Sequence, residues 1–494
     1  DWSSDVCSSD LDPDIEILQA TGETTGVILS DDATGTALNA GSGTIFIKAG
    51  TNGITATNGN NDIAELATTG TSVTLNTTGK IGTSTTDRIE FADNTNPSQQ
   101  VVYIGTLNQP GSAVYLDGIG TLTLGAITTN NVNLDVTAGS DLTVDDTIST
   151  GIGTFELKFG QTNIAGGTLN TLNGDVSGVA TVNAYGGPND DIFNIDIDGF
   201  NNLSGGTGDD SFNIADTITL SGVVDGEVGA DILDLSSYLS PINITLASGT
   251  DGFAGGDGGT VFTSFDGITV LTGTGVGDTL TGRDVDSTWT ILGGNDTYND
   301  GSTTLTIVSG VDKYQGGTGI DTFNLTPDTG GIEFTVDAGL GIDTLNIDDT
   351  LVNNVVHTRT GSDTGYYTWS DAGQVNYDST ETTNFSVNAP TVYDLSLTSI
   401  ETNPTFNIIF DVTGTTMTVN DNGGSLFSDD ITSGLNSMTV TGTTGDDTLD
   451  IDFTNFGGDF PSLTFDAGGQ SGDELVLDNG GGIFTTVTHT FVNA

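Results

Sequence analysis

The chain reads as all-β, a parallel β-helix or β-solenoid array with almost no helix, and three features of the sequence lead there. A glycine–aspartate turn keeps returning, followed each time by a short β-branched or aromatic run. Apolar and polar residues alternate with a period of two in Thr121-Leu122-Thr123-Leu124, Ser437-Met438-Thr439-Val440 and Thr448-Leu449-Asp450-Ile451, which is the signature of half-buried strands. The composition is that of turns and strands: 72 Gly and 9 Pro, with abundant Thr, Asn and Asp, while the helix formers Lys, Arg and Glu are scarce. The apolar share of 34% is below that of an ordinary globular protein, so disorder is the competing expectation. The recurrent alternations argue against it.

Residues 1–11 (Asp1-Trp2-Ser3-Ser4-Asp5-Val6-Cys7-Ser8-Ser9-Asp10-Leu11) match nothing downstream. They read as a translated sequencing-adapter junction and are set aside from fold reasoning. Residues 12–180 are Thr- and Gly-rich strands with few glycine–aspartate turns. Val101-Val102-Tyr103-Ile104, Val114-Tyr115-Leu116, Leu122-Thr123-Leu124, Val132-Asn133-Leu134-Asp135-Val136 and Leu142-Thr143-Val144 follow one another at short intervals, separated by Gly, Asn or Asp. Such spacing fits a β-helix or a sandwich.

Residues 181–350 carry the densest turns. Gly205-Gly206-Thr207-Gly208-Asp209-Asp210-Ser211-Phe212-Asn213 and Gly316-Gly317-Thr318-Gly319-Ile320-Asp321-Thr322-Phe323-Asn324 both fit G-G-x-G-x-D-x-U-x, where U is a large apolar residue. Gly186-Gly187-Pro188-Asn189-Asp190-Asp191-Ile192-Phe193 puts Asn at the fourth position, where Asn tolerates the left-handed region. Gly226-Glu227-Val228-Gly229-Ala230-Asp231-Ile232-Leu233 lacks the second glycine, and Gly293-Gly294-Asn295-Asp296-Thr297-Tyr298 is a shortened form. Further remnants run from Gly273 to Leu280, Ala338 to Leu345, Gly442 to Leu449 and Gly468 to Leu475. The starts at 186, 205 and 226 lie 19 and 21 residues apart, and those at 316 and 338 lie 22 apart. This spacing predicts one glycine–aspartate turn per coil, stacked along a single edge. Residues 351–388 interrupt the pattern with Tyr366, Tyr367, Trp369 and Arg359, as a loop excursion or a seam would. Residues 389–494 resume it, with Pro390 and Pro404 near the boundary.

The nonapeptide resembles the calcium-binding repeat of the repeats-in-toxin (haemolysin-type) proteins, which build a parallel β-solenoid. Residues 40–160 resemble the filamentous-haemagglutinin-like β-helices of large bacterial surface proteins, in texture and in phrases such as Gly79-Lys80-Ile81-Gly82-Thr83-Ser84. The resemblance implies that the sixth-position aspartate is a side-chain ligand of calcium. It carries that role to Asp191, Asp210, Asp231, Asp321 and Asp343 as stacked neighbours, and to Asp278, Asp447 and Asp473 as isolated turns. Calcium needs six to eight oxygens at about 2.3–2.6 Å. One turn cannot supply them, so two stacked turns would have to share. The structural alternative is that these are plain β-turns, where Gly and Asp are favoured anyway.

The formal charge is -60, from 7 basic and 67 acidic residues. Such a surface repels nucleic acid and anionic membrane and draws divalent cations. Its simplest use is to keep a repetitive protein soluble and its edges apart. Cys7 lies in the adapter-like stretch, and without it no disulfide or thiolate site is available, which suits an exported bacterial protein. No apolar run is long enough for a membrane-spanning helix. The expectation is therefore a calcium-stabilised, adhesin-like structural segment, internal to a large secreted or cell-surface protein. Its partners would be calcium ions and surface glycans or other extracellular proteins, with no enzymatic activity.

Two rival readings remain. One is a glycan-binding solenoid face near Tyr366, Tyr367 and Trp369. The other is a β-helix enzyme acting on acidic polysaccharide, which commonly needs a basic residue. Arg88, Arg283, Arg359, Lys48, Lys80, Lys158 and Lys313 are scattered, His357 and His489 have no nucleophile motif beside them, and no G-x-S-x-G, H-E-x-x-H or Walker loop occurs. Threonine pairs such as Thr121 and Thr123 lack the regular interval of an ice-binding ladder.

Overall fold

The computed structural model describes residues 14–478 apart from 19–23, 25, 31–35, 58–62, 94–95, 97, 108–112, 130, 163–164, 172–175, 177–180, 328–332, 349–350, 352–355, 360–363, 370–372, 381, 387–392, 399–404, 411–415, 422–423, 431–434, 443–445, 455–461 and 467–472. The adapter-like opening, Cys7 and His489 lie outside the described residues. Every regular element among those described is a strand, and most are paired in parallel. The fold is the parallel β-solenoid that the turns and the alternation predict. Two compact units are present. One is drawn from residues up to Leu239 with Ser248–Leu271, the other from Ser240–Ala247 with residues from Thr272 onward.

In the first unit the chain climbs by two long parallel ladders. One joins Ile15–Leu18, Ile45–Ala49, Ser72–Thr77, Val101–Leu107, Leu122–Thr129, Leu142–Val144, Thr168–Thr171, Ile192–Ile195, Ser211–Ile214 and Asp231–Asp234. The other joins Leu38–Asn39, Leu66–Ala67, Ile89–Phe91, Ala113–Gly118, Asn133–Ala138, Thr154–Lys158, Thr181–Tyr185, Asn202–Thr207, Val223–Val228 and Ser264–Thr272. Along each strand alternate side chains point inward, as period-two sequence requires. Val73, Leu75, Val114, Leu116, Leu134, Val136, Phe155 and Leu157 are completely buried. Each such side chain contributes roughly 1.5–3 kcal/mol of burial, and it does so only against the coils next to it.

Parallel pairing in register stacks like on like. Phe193, Asn194 and Ile195 lie beside Phe212, Asn213 and Ile214. The Phe193 and Phe212 rings stack at 4.6 Å, and Phe159 meets Phe193 edge-on at 4.8 Å. Beside them runs an amide ladder, in which Asn213 donates to Asn194 (2.8 Å) and Asn194 to Asn170 (2.9 Å).

The second unit repeats the scheme with wider coils. One ladder joins Asn243–Ser248, Thr279–Thr281, Lys313–Gln315, Phe334–Asp337 and Gln374–Asp378. The other joins Ser287–Ile291, Asp321–Leu325, Thr344–Asp348 and Thr382–Ser386. Antiparallel excursions interrupt it. Ser287–Ile291, Asp296–Asn299 and Thr304–Ser309 form one, and Val356–Arg359, Gly365–Thr368 and Gln374–Asp378 another. Farther on, Thr405–Phe410, Thr416–Asp421 and Gly424–Asp430 form a third. The shortened turn at 293–298 is therefore no coil turn: it is the tip of a hairpin. Asp296 accepts the Leu292 N–H (2.8 Å) and the Tyr314 hydroxyl.

The inward aspartate ladder

The nonapeptide places its aspartate and its large apolar residue two positions apart on one strand, so both face the same way. The structure follows this rule. Asp191, Asp210, Asp231, Asp321, Asp343 and Asp447 have no exposed surface, and Asp278 is 3% exposed. Phe193, Phe212, Leu233, Phe323, Leu345, Leu449 and Leu280, each two residues on, are buried with them. Asp473 is half-buried.

These carboxylates accept hydrogen bonds from the preceding coil and from the main chain of their own turn. Asp210 Oδ1 accepts the Asp191 N–H at 2.7 Å, and Asp231 Oδ1 accepts the Asp210 N–H at 2.8 Å. Asp191 Oδ1 accepts the Gly167 N–H at 2.5 Å, while its Oδ2 accepts the Gly187 N–H. The second unit repeats the geometry. Asp343 Oδ1 accepts the Asp321 N–H (2.7 Å), and Asp321 accepts the Ser287 hydroxyl (2.5 Å) and the Gly317 N–H (3.1 Å). Asp278 accepts the Ile242 and Thr274 N–H groups (2.8 and 2.5 Å). The turns expected to be isolated are not: the Asp278 N–H donates to Asp312 Oδ2 (2.9 Å), and the Asp447 N–H to Asp473 Oδ1 (2.9 Å). Asp312, which follows the positive-φ Gly310 and stands two residues before the buried Tyr314, is the rung that sequence reasoning missed.

The first-position glycine has a direct reason. A Cβ on Gly205 would overlap Asp210 Oδ2 and stand 2.8 Å from the Gly226 carbonyl oxygen. Asp231 Oδ2 lies likewise against Gly226, and Asp321 Oδ2 against Gly316, each 2.5 Å from the Cβ position. The glycine leaves the room that the aspartate fills. Substitutions elsewhere in the turn take different courses. Glu227, in the second-position slot of Gly206, keeps a positive φ of 63°. Asn189, expected in the left-handed region, is not there. Its counterpart Gly208 has φ 131°, outside the left-handed well that Asn can enter, so the turn at Asn189 follows another path.

The electrostatics are one-sided. Burial pushes the Asp210 carboxyl up to about 7, against the hydrogen bond from Asp191 and with the negative charges of Asp231, Asp191 and Asp190 adding to the shift. Burial likewise raises Asp231 to about 6, opposed by the Asp210 N–H and reinforced by Asp209, Asp225 and Glu227. Asp191 and Asp321 are also raised by burial, with their N–H and hydroxyl donors holding them partly down. Asp210 Oδ2 and Asp231 Oδ2 are buried without a hydrogen-bond partner.

Hydrogen bonds take up most of the carboxylate oxygens of these residues. Calcium takes six to eight oxygens. Asp191, Asp278 and Asp321 have both oxygens committed, and Asp210 and Asp231 have one left each. Among the described residues, no group of three or more acidic or histidine side chains could hold a metal ion. In this structure the sixth-position aspartates act as hydrogen-bonding rungs between coils.

The other candidate regions are also altered by burial. Tyr367 and Trp369 are 3% and 6% exposed and stack at 6.1 Å, so they are core and not a platform for sugars. Tyr366 is half-buried. The basic residues are largely engaged: Arg88 and Lys158 with Asp135 (2.8 and 3.0 Å), Arg283 with Asp300, and Lys313 with Asp337 (2.7 Å).

Fold and site together define the class: a parallel β-solenoid in which each unit stacks inward carboxylates from coil to coil. No known family model, curated protein or solved structure matches the chain.

Proposed function

We propose that this chain is a structural, adhesin-like segment of a large secreted or cell-surface bacterial protein, a solenoid whose acidic exterior draws calcium and other divalent cations as counter-ions. The supporting observation is the stacking of coil on coil, with Phe193 on Phe212, Asn194 on Asn213 and Asp191 on Asp210. The large inward side chains of these coils are spent on contacts with neighbouring coils, which serves extension and stiffness rather than catalysis. The net charge of -60 favours association with cations over nucleic acid. Other extracellular proteins or surface glycans are its proposed partners. No helix among the described residues is long and apolar enough to cross a membrane.

Thermal melting followed by far-UV circular dichroism, after chelation and during titration with calcium or magnesium at matched ionic strength, tests this reading. Counter-ion association raises the melting temperature by similar amounts for the two ions. A gain confined to calcium would instead demand a caged site. A protein unfolded at every cation concentration would remove the structural reading altogether.

A further inference from the structure

The fifth position of the glycine–aspartate turn, just before the inward carboxylate, is exposed at the corner of the coil. In the first unit the stacked fifth positions hold Asp190, Asp209 and Ala230. Asp190 Oδ1 accepts the Asp209 N–H and Asp209 Oδ1 the Ala230 N–H, both at 2.8 Å. The second unit departs from this. Its corner begins with Asp286, whose Oδ1 accepts the Ile320 N–H at 2.9 Å, and continues with Ile320 and Ile342 on successive coils. Leu340 lies on the same turn as Ile342, and its N–H donates to the Gly317 carbonyl at 3.0 Å. Ile320, Ile342 and Leu340 are 54%, 68% and 72% exposed. The first unit builds the same turn with carboxylates at the corner, so the fold does not call for aliphatic residues there. Single exposed apolar side chains are ordinary, but adjoining ones on successive turns mark a contact surface.

The rim of this corner states the chemistry of its partner. Asp284 and Asp286 are exposed on the coil below, where the Asp284 backbone lies under Gly317. Asp378 is exposed on the coil above, its carbonyl accepting the Ala338 N–H at 2.9 Å. Arg283, beside Asp284, and Lys313, on the coil of Ile320, are engaged by Asp300 and Asp337. A second copy would bring together two chains that each carry a charge of -60. Three side chains also fall far short of the roughly 800 Å² per partner that a stable interface buries. We propose that the corner formed by Ile320, Leu340 and Ile342 docks a short, basic, amphipathic segment of another protein. The aliphatic side chains of that segment pack on these three, and its Lys or Arg side chains face Asp284, Asp286 and Asp378. The inference rests on the reading of the chain as an extracellular scaffold and gives the chemistry of its protein partner. The net charge of -60 steers such a segment to the solenoid, and the corner fixes where it stays.

The test measures binding to the whole chain by fluorescence anisotropy, with labelled peptides of equal length that alternate leucine with lysine, serine with lysine, or leucine with glutamate. A triple variant, Ile320→Asp with Leu340→Thr and Ile342→Ala, gives this corner the residue types that the first unit carries at Asp209, Thr207 and Ala230. Circular dichroism checks that it folds. The wild type should bind the leucine–lysine peptide about tenfold more tightly than the serine–lysine peptide, and the variant should bind the two alike. Taking the ratio cancels the charge that Ile320→Asp adds. Equal affinities in the wild type, or a ratio unchanged in the variant, overturn the proposal. So does a leucine–glutamate peptide bound as tightly as the leucine–lysine one. A dimer in sedimentation velocity that the variant dissociates would make the occupant a second copy and overturn it too. If the variant does not fold, the methyl resonances of Ile320, Leu340 and Ile342 in the native protein decide. Shifts with the leucine–lysine peptide and not with the serine–lysine peptide uphold the proposal, and unmoved resonances overturn it. A wild type unfolded in circular dichroism removes the structural reading and this inference together, whereas a folded wild type without the preference overturns the inference alone.

Discussion

A glycine can be required for two different reasons here, and substitution separates them. At Gly205 the obstacle is contact: an added methyl would collide with Asp210 Oδ2 and the next coil's backbone. Gly205→Ala should therefore dislodge a buried rung and lower unfolding stability by about 2–4 kcal/mol. Gly258 has φ 76° and nothing within 4 Å of a Cβ, so Gly258→Ala meets only backbone strain, about 1 kcal/mol. Chemical denaturation of both variants checks the ordering. The inward direction of the aspartates was open to reading in the sequence, because Asp210 and Phe212 are two apart and strands repeat every two residues. The Asp312 rung was legible only as the remnant Gly310-Val311-Asp312-Lys313-Tyr314, which keeps the fourth-position glycine, the aspartate and the apolar residue of the nonapeptide but not its first two glycines. The pairing of Lys313 with Thr279 then brings Asp312 over Asp278.

At the scale of the strand, columns of identical side chains carry the stability. Phe212 is fully buried and stacked on Phe193. Phe212→Ala should cost about 3–5 kcal/mol in the first unit. Asn213→Ala removes one amide hydrogen bond from the ladder and should cost only about 1 kcal/mol. A denaturant series on the two variants, read against the wild type, measures the difference. Strand positions were legible wherever alternation and glycine turns coincided, as at Ser211–Ile214. The hairpins were not. Gly293-Gly294-Asn295-Asp296 has the residues of a coil turn, yet Trp289 facing Tyr298 across the turn closes it into an antiparallel pair. Turn residues alone do not state which way the following strand runs.

For the molecule as a whole, self-repulsion is the opposing term. With -60 formal charges, raising sodium chloride from low ionic strength to about 0.1 M, where the screening length is about 10 Å, should raise the melting temperature before any specific ion is added. A melting curve insensitive to salt would mean that the carboxylates are already neutralised, by protons or bound ions. The composition made this term visible from the outset. It could not show that some acids sit inside the coils, where salt does not reach them.

Matching coils also bear on how such a chain changes in length. The upper face of Ser211–Ile214 offers the same Phe, Asn and Ile column as the upper face of Ile192–Ile195, and the aspartate N–H of each donates to the rung above. Excising the 19 residues between equivalent points would bring Asp231 over Asp191 with the same partners in reach. A gene encoding this solenoid can therefore lose or duplicate a coil and still specify a closed core. The same interchangeability exposes the nascent chain to an error of one whole coil during folding, in which each local contact is satisfied and only the count is wrong.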